Sequence, residues 1–455
     1  MTSENETTPS QTQLLDQVIA DLETGRQEAL AQTLLTTHPA DVASLLESLP
    51  PEQRSELWEV VPVAQESEVL SFLHDEARTT IVDEMDQGEL VAAAGSMAPE
   101  DLAEFIDELP EDLTNHLLLA LDADHRKRLD NVLNYEEGSA GRLMSTDVIS
   151  VRKDVTIAVV LRWLRRHETL PPHTDSLMVI DDAGEGLYLG KLDVADLLIS
   201  NPDIMVEQVM QPEAVTVRAD LSEHEVANLF ERRDLISVAV LDDAGKLLGR
   251  ITIDDIVDVI REESDRTLLR SAGLNEEEDM YAPVLPSARR RGLWLGINLI
   301  TVFAAAWVIG RFEAALSQIV ALAVLMPIVA SMGGIAGSQT LTLTIRGLAL
   351  NQIASANVRW LTIKELLVGG VNGAVWALVV ALITYFWFGE PGIAIIIGAA
   401  MVLNLLAAAL AGIAIPLLLN RWGMDPALSG AVVLTTITDI IGFLSFLGLA
   451  TLFLL

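Results

Sequence analysis

Five apolar stretches crowd the C-terminal end of this 455-residue sequence, at 292–309, 315–341, 366–388, 392–419 and 427–455. Crossing a bilayer takes roughly 20 apolar residues, so each is long enough to span one. Backbone in hydrocarbon must satisfy its own hydrogen bonds, which makes five transmembrane helices the expected form. From residue 287 onward there are eight basic and five acidic residues, a net of +3. The first 286 residues hold 21 basic and 60 acidic ones, a net of −39. Two physically different halves are joined end to end, one acidic and soluble, the other apolar.

This split excludes several classes. A soluble half so negative, with no basic patch, does not bind a nucleic-acid backbone, so no nucleic-acid partner is expected. The sequence has no Cys, which removes disulfides and thiolate metal or redox sites. Its first ten residues, MTSENETTPS, lack the basic and apolar regions of a signal peptide and read as a disordered tail. Arg289 to Arg291 precede the first span, Arg346, Arg359 and Lys364 lie between the second and third, and Arg421 follows the fourth. The other loops hold Arg311 with Glu313, and Glu390. The basic excess makes its side cytosolic, with a cytosolic N-terminus and the C-terminus outside a cell membrane.

Five spans are few for an alternating-access carrier built from inverted repeats. They suit a pore between subunits better. Asp439 lies near the middle of the fifth span, in TTITDIIGF, with no basic residue in that span. A carboxylate there costs about 2.5–3.5 kcal/mol on insertion scales, so such acids usually line water or bind cations. Thr435 and Thr436 precede it by four and three residues and share its helical face. The plainer alternative is a protonated Asp hydrogen-bonded inside the bundle. In the second span Pro327 precedes GGIAGSQTLTLT, residues 333–344. Pro opens the helical ladder, Gly333 and Gly337 form a close-approach face, and Gly334 and Gln339 add polar backbone and side chain. A broken, pore-lining helix with carbonyls facing water is expected; plain helix packing is the alternative.

The acidic half contains two internal repeats. Residues 38–50 and 98–110 align at an offset of 60, each a Pro-started helix with an Asp in its first turn. Residues 11–133 are therefore expected as an all-helical repeat domain. Its scattered histidines, His38, His74, His116 and His125, read as solvated surface groups rather than a metal site. Residues 143–156 align with 209–222 at an offset of 66, and each copy continues through a helix, a strand, a DDAG turn, a second strand and a closing helix. Residues 134–200 and 201–262 are the two modules. An acidic linking helix at 263–286 follows, then the membrane domain at 287–455.

The two copies resemble a tandem pair of CBS modules, whose adenosine pattern is Gly-x-x-Thr/Ser-x-x-Asp. The second copy matches it at Gly249, Thr252 and Asp255; the first carries Asp193 in the hydroxyl position before Asp196. The whole order resembles the MgtE family of magnesium channels. YEEGSAGRLMS at 135–145, DDIVDVIREES at 254–264, Pro327 with GGIAGSQ, and DPALSG followed by TTITD carry that resemblance. It implies a homodimer in the lipid bilayer with a pore between subunits, lined by the second and fifth spans, and Asp439 as the central cation-binding group. It also implies Mg2+ as cargo and as regulator, the latter at Asp255, Asp258 and Glu263, with Asp196, Asp234, Asp101 and Glu104 as further candidates. ATP is implied as a possible regulatory ligand. The family motif usually has Asn where this sequence has Ile335 and Ser338, which changes the pore ligand set. Acidity on the linking helix is also thin just after Glu263, where only Asp265 follows before RTLLRSAGL at 266–274.

Gating follows from the −39. Mg2+ prefers carboxylate and water oxygens, so acidic faces drawn together are expected to hold it when it is abundant and to splay when it is scarce. Each acid taken alone reads as a solvated surface charge. No GxxxxGK[ST] motif is present, which argues against ATP-driven pumping. Three readings stay open: a Mg2+ channel, a carrier or exchanger for another divalent cation such as Co2+ or Mn2+, and a non-conducting membrane-anchored CBS sensor.

Overall fold

The computed structural model describes residues 10–107, 109–167, 169–181, 186–274, 280–350, 352–354 and 356–455. They form two compact units, one of Met1–Ser264 with Glu277–Ala282 and one of Asp265–Glu276 with Pro283–Leu455. Of the disordered tail expected at 1–10, residues 1–9 lie outside the described residues, as does most of the first DDAG turn, 182–184.

Ten short helices open the first unit, from Gln11–Glu23 to Ala123–Leu133. The repeated segments are the helices Pro39–Glu47 and Pro99–Asp107, each with Pro in its first turn. Pro fits there because its missing N–H would have no helical partner. Val42, Leu45 and Leu46 of one and Leu102, Phe105 and Ile106 of the other are buried in one common core. Buried Arg54 donates from Nε to Leu46 O at 2.9 Å and from Nη2 to Leu49 O at 3.2 Å, satisfying carbonyls at the end of Pro39–Glu47.

The CBS pair follows as two three-stranded sheets of identical order. Strands β1 (Ser150–Arg152), β2 (Ser176–Ile180) and β3 (Tyr188–Asp193) form the first, and β4 (Thr216–Arg218), β5 (Ser237–Leu241) and β6 (Leu247–Thr252) the second. In each, the first pair is parallel and the second antiparallel. The middle strands β2 and β5 are almost wholly buried. Ser176 and Ser237 sit at equivalent places on them, their hydroxyls 3.4 Å apart. At the second DDAG turn Asp242 Oδ1 accepts from Ala244 N at 2.9 Å and Lys246 N at 2.8 Å, and Gly245 takes φ +81°.

The acidic helix differs from expectation. It is not a separate element at 263–286 but one helix, Ile253–Ser271, continuous from the end of β6. Nothing between Ile253 and Ser271 breaks a helix; it stops before Gly273, which adopts φ +74°.

Among the described residues five helices are long and apolar enough to cross a membrane: Val284–Gly310, Val320–Ala349, Val358–Phe388, Pro391–Arg421 and Pro426–Leu454, the first to fifth spans. They outrun the apolar stretches because helical hydrogen bonding continues through polar ends such as TLTIRGLA. The second span is one unbroken helix across Pro327, where a break was expected. The interruption falls earlier, at Ile319, between the short helix Glu313–Gln318 and Val320. A single proline removes one ladder bond, and the remaining helical bonds carry the helix across it.

The fourth span is the hub. Its apolar stretch is 61% buried, against 11% for the first. Glycines set the approach: a methyl on Gly412 would meet Gly337 O at 2.9 Å in the second span, and one on Gly369 would meet Leu405 O at 3.1 Å. Gly337 of the second span faces Leu434 of the fifth, where a Cβ would lie 2.9 Å from its Cδ1.

Candidate functional site

Between the second and fifth spans lies an open groove of about 880 Å3. Its lining is Ala330, Ser331, Gly334, Ile335, Ser338, Gln339, Thr342 and Leu343 from the second span and Thr435 and Asp439 from the fifth. Residues 331, 335, 338, 339, 342 and 343 recur at helical spacing along one face, and Thr435 lies one turn before Asp439. Asp439 is the only charged group in the lining, among hydroxyls, an amide and a bare glycine backbone. Ile335 and Leu343 are exposed in the groove, 57% and 56%.

Of the residues singled out in the membrane half, Asp439, Thr435, Gly334 and Gln339 meet in this groove. Gly333 and Thr436 do not line it. Gly333 is buried on the opposite face, where a methyl would collide with the Asn404 amide. Thr436 is half-buried and gives its hydroxyl to Val432 O at 2.7 Å.

A second membrane-half carboxylate went unnoticed in the sequence. Glu365, early in the third span, is 4% exposed. Its Oε2 accepts from the Thr340 hydroxyl of the second span at 3.1 Å, and its Oε1 pairs with Lys364. Thr340 follows Gln339 directly, so this bond holds the groove-lining helix from behind. The available signal was a Glu next to the apolar stretch 366–388, which as bounded in the sequence leaves Glu365 one residue outside it.

In the first unit the structure gathers carboxylates from distant sequence. Asp101 and Glu104, with Glu100, stand on Pro99–Asp107, and Asp255 stands on Ile253–Ser271. Desolvation by the surrounding protein, with Glu100, Glu104 and Asp255 beside it, pushes the Asp101 carboxyl up to about 7, against the pull of Arg78. Burial raises Glu100 as well, with Asp255 and Asp147 adding to it. Asp255 is raised by burial and by Asp254 and Asp258, while bonds from Thr252 N and Oγ1, both 3.0 Å, oppose the rise. Glu104 reaches Arg78 Nη2 at 3.1 Å.

Asp258 belongs to a neighbouring cluster. Burial raises its pKa, and Arg261, Asp254 and His74 act on it in turn. His74, read from the sequence as a solvated group, sits 2.6 Å from Glu47 Oε1 through Nδ1; that bond raises its pKa. Glu263 lies 3.4 Å from His224. Asp196 stands on the short helix Val194–Ile199 of the first module, with the Gln211 amide 3.5 Å away. Asp234 caps the helix Glu223–Arg233 in left-handed backbone at φ 50°. Among the described residues no three Asp, Glu or His side chains already converge as metal ligands.

At the nucleotide pattern, Gly249 is packed tightly: a methyl there would lie 2.6 Å from Ser145 O. Thr252 is buried and bonded to Asp255. The equivalent Gly190 of the first module has φ +151°.

The MgtE model, described as a divalent cation transporter, matches residues 326–449, which contain the whole groove. The MgtE intracellular N domain matches 37–138 and the CBS domain 206–262. Magnesium transporter MgtE of Thermus thermophilus is 30% identical over 438 residues, covering 95% of this chain and 97% of that protein. The chain belongs to the MgtE family. Magnesium transporter MgtE of Bacillus subtilis is 26% identical and covers 97% of this chain and 98% of that protein. The crystal structure of the cytosolic domain of the Mg2+ channel MgtE in complex with ATP is 31% identical, with a TM-score of 0.49, over 54% of this chain and 99% of that one. The chain is thus a full-length homologue of MgtE magnesium transporters, multi-pass in the membrane with an intracellular N domain, and not an enzyme.

Proposed function

We propose that this MgtE protein passes Mg2+ across the cell membrane through the groove between its second and fifth spans, closed into a pore by a second copy. The observation that carries this reading is Asp439 as the sole charged group among Gly334, Ser338, Gln339, Thr342 and Thr435. Two copies would set two Asp439 carboxylates across an axis. Such a pair holds a Mg2+ that keeps much of its water shell, with the hydroxyls and the Gln339 amide receiving that water. A membrane potential, negative inside, drives the ion inward at about 2.3 kcal/mol per charge per 100 mV. The C-terminus then lies outside, with Arg346, Arg359, Lys364 and Arg421 on the cytosolic side.

Cytosolic Mg2+ closes this pore from the acidic unit. Burial first, and the neighbouring Glu100, Glu104 and Asp255, push the Asp101 carboxyl up to about 7, so the compact arrangement resists negative charge there. A cation among Glu100, Asp101, Glu104 and Asp255 removes that resistance, so each bound ion favours the compact state. Asp258, Glu263, Asp196 and Asp234 add weaker, water-mediated sites. ATP is a regulatory ligand of the second module at Gly249, Thr252 and Asp255. Because Asp255 also belongs to the acidic cluster, nucleotide and Mg2+ act on one residue.

Uptake by the reconstituted full-length protein tests the pore: Asp439→Ala is expected to lower it at least about tenfold, a difference of ~1.4 kcal/mol. Unchanged uptake would leave the chain a membrane-anchored sensor. A second reading, transport of Co2+ or Mn2+ in place of Mg2+, rests on Ile335 and Ser338 in the lining. Competition of Mg2+ uptake by Co2+, Mn2+ and Ca2+ separates the two.

A further inference from the structure

Asn404 is the one fully buried amide of the fourth span, 0% exposed. Its Nδ2 donates to Val329 O of the second span at 2.8 Å. Its Oδ1 finds no donor among the described residues. Two glycine notches receive this amide. A methyl on Gly333 of the second span would overlap Nδ2, and one on Gly442 of the fifth span would lie 2.9 Å from the same atom.

A half-satisfied amide deep in a membrane bundle is costly, and an apolar residue of similar volume would fill the space more cheaply. Packing alone therefore does not account for it. Its position does suggest a role. Ala330, Ser331 and Gly334, beside the Val329–Gly333 turn that Asn404 grips, line the groove from the other face of the same helix. Gly442 lies three residues after Asp439, the lining carboxylate. Pro327, just before this turn, has no N–H to give to Ala323 O, so the ladder lacks one bond in the preceding turn, and the outside bond to Val329 O braces the helix next to it.

We propose that Asn404 is a positioning residue of the conduction path. It acts as a polar wedge between Gly333 and Gly442, setting the separation of the two helices that form the groove, and so the ion preference, without touching the ion. This rests on the groove being the ion path. The size of the side chain at 404 and the absence of one at 333 are then two halves of one fit.

The test uses the full-length protein reconstituted in liposomes, with Mg2+ uptake and its competition by Co2+ measured for each variant. Asn404→Ala is expected to shift the Mg2+-to-Co2+ preference by at least about threefold, because specificity is a difference between two fits. Gly333→Ala alone is expected to lower uptake about tenfold or more from the overlap with Nδ2. Gly333→Ala with Asn404→Ala is expected to regain uptake to within about threefold of Asn404→Ala alone. A double variant as inactive as Gly333→Ala, or an unchanged preference in Asn404→Ala, overturns the proposal. The preference measurement decides even if Gly333→Ala does not assemble. Asp439→Ala serves as the control: unchanged uptake there overturns the groove reading itself and, with it, this proposal.

Discussion

Arg270, in the last turn of Ile253–Ser271, donates from Nη1 to Asp425 Oδ2 at 2.7 Å, while Asp425 Oδ1 accepts from Ala427 N at 2.8 Å. One carboxylate thus caps the fifth span and ties the end of the linking helix to it. The fifth span carries Asp439, so this pair joins the last turn of Ile253–Ser271 to a helix that lines the groove. Asp425→Asn keeps a good cap and loses the charge; Asp425→Ala loses both. The Asn variant is expected to retain thermal stability but to weaken closure by Mg2+, read as a higher Mg2+ concentration for half-inhibition of uptake. The Ala variant is expected to lose about 0.5–2 kcal/mol of stability as well. Both pair members are about a third exposed, so the tie weakens at high salt. Identical Mg2+ inhibition in Asp425→Asn would remove the pair from the gate.

Glu365 and Thr340 make a separable prediction. Thr340→Val keeps the shape but leaves Glu365 Oε2 without its 3.1 Å donor. A lost hydrogen bond to a charged group costs about 1.5–3 kcal/mol. The melting temperature in detergent is expected to fall, and Glu365→Gln in the same background to recover part of the loss. No fall in Thr340→Val would mean that the bond does not brace the second span.

The acidic cluster sets a pH dependence. Asp101 has its folded pKa raised to about 7 from 3.8, so the compact arrangement binds its proton more tightly than an open one. The cost of the ionised carboxylate is fully present above about pH 7 and is relieved as pH falls through that value. His74, raised by Glu47, acts in the same direction: its stabilisation is present below the ordinary pKa and lost as pH rises through the raised one. Without Mg2+, protease protection of the acidic unit is expected to rise between pH 8 and pH 6. The extra protection given by Mg2+ is expected to be larger at pH 8. A Mg2+ increment independent of pH would contradict the cluster.

Asp101→Asn is expected to flatten that pH response and to raise Mg2+-free protection at pH 8 to at least that of the wild type at pH 6, because relief by protonation begins near pH 7 and is complete only toward 3.8. Matched K+ at equal ionic strength is the control, since a general screening effect would appear there too.

Much of this architecture was legible in order along the chain. Hydropathy and charge are local properties, so the five spans, the acidic half and both internal repeats could be read before any fold was known. Asp439 stood out because a mid-span carboxylate is conspicuous within its own helix, and Thr435 followed from one-turn spacing. The same locality set the errors. Pro327 signals a break only if nothing packs around it, and the neighbouring helices decide that. Gly333 and Gly334 are adjacent letters, yet one faces Asn404 and the other the groove.

Sequence by itself determined which segments cross the membrane, which repeat, and where the unbalanced charge lies, because each depends on neighbours a few residues apart. Tertiary structure alone decided that Asp255 bears electrostatically on Asp101, that Glu365 meets Thr340, and that Asn404 fits between Gly333 and Gly442. Those pairings depend on helix rotation and spacing, which no single segment specifies, because they arise from how all the packed surfaces fit at once.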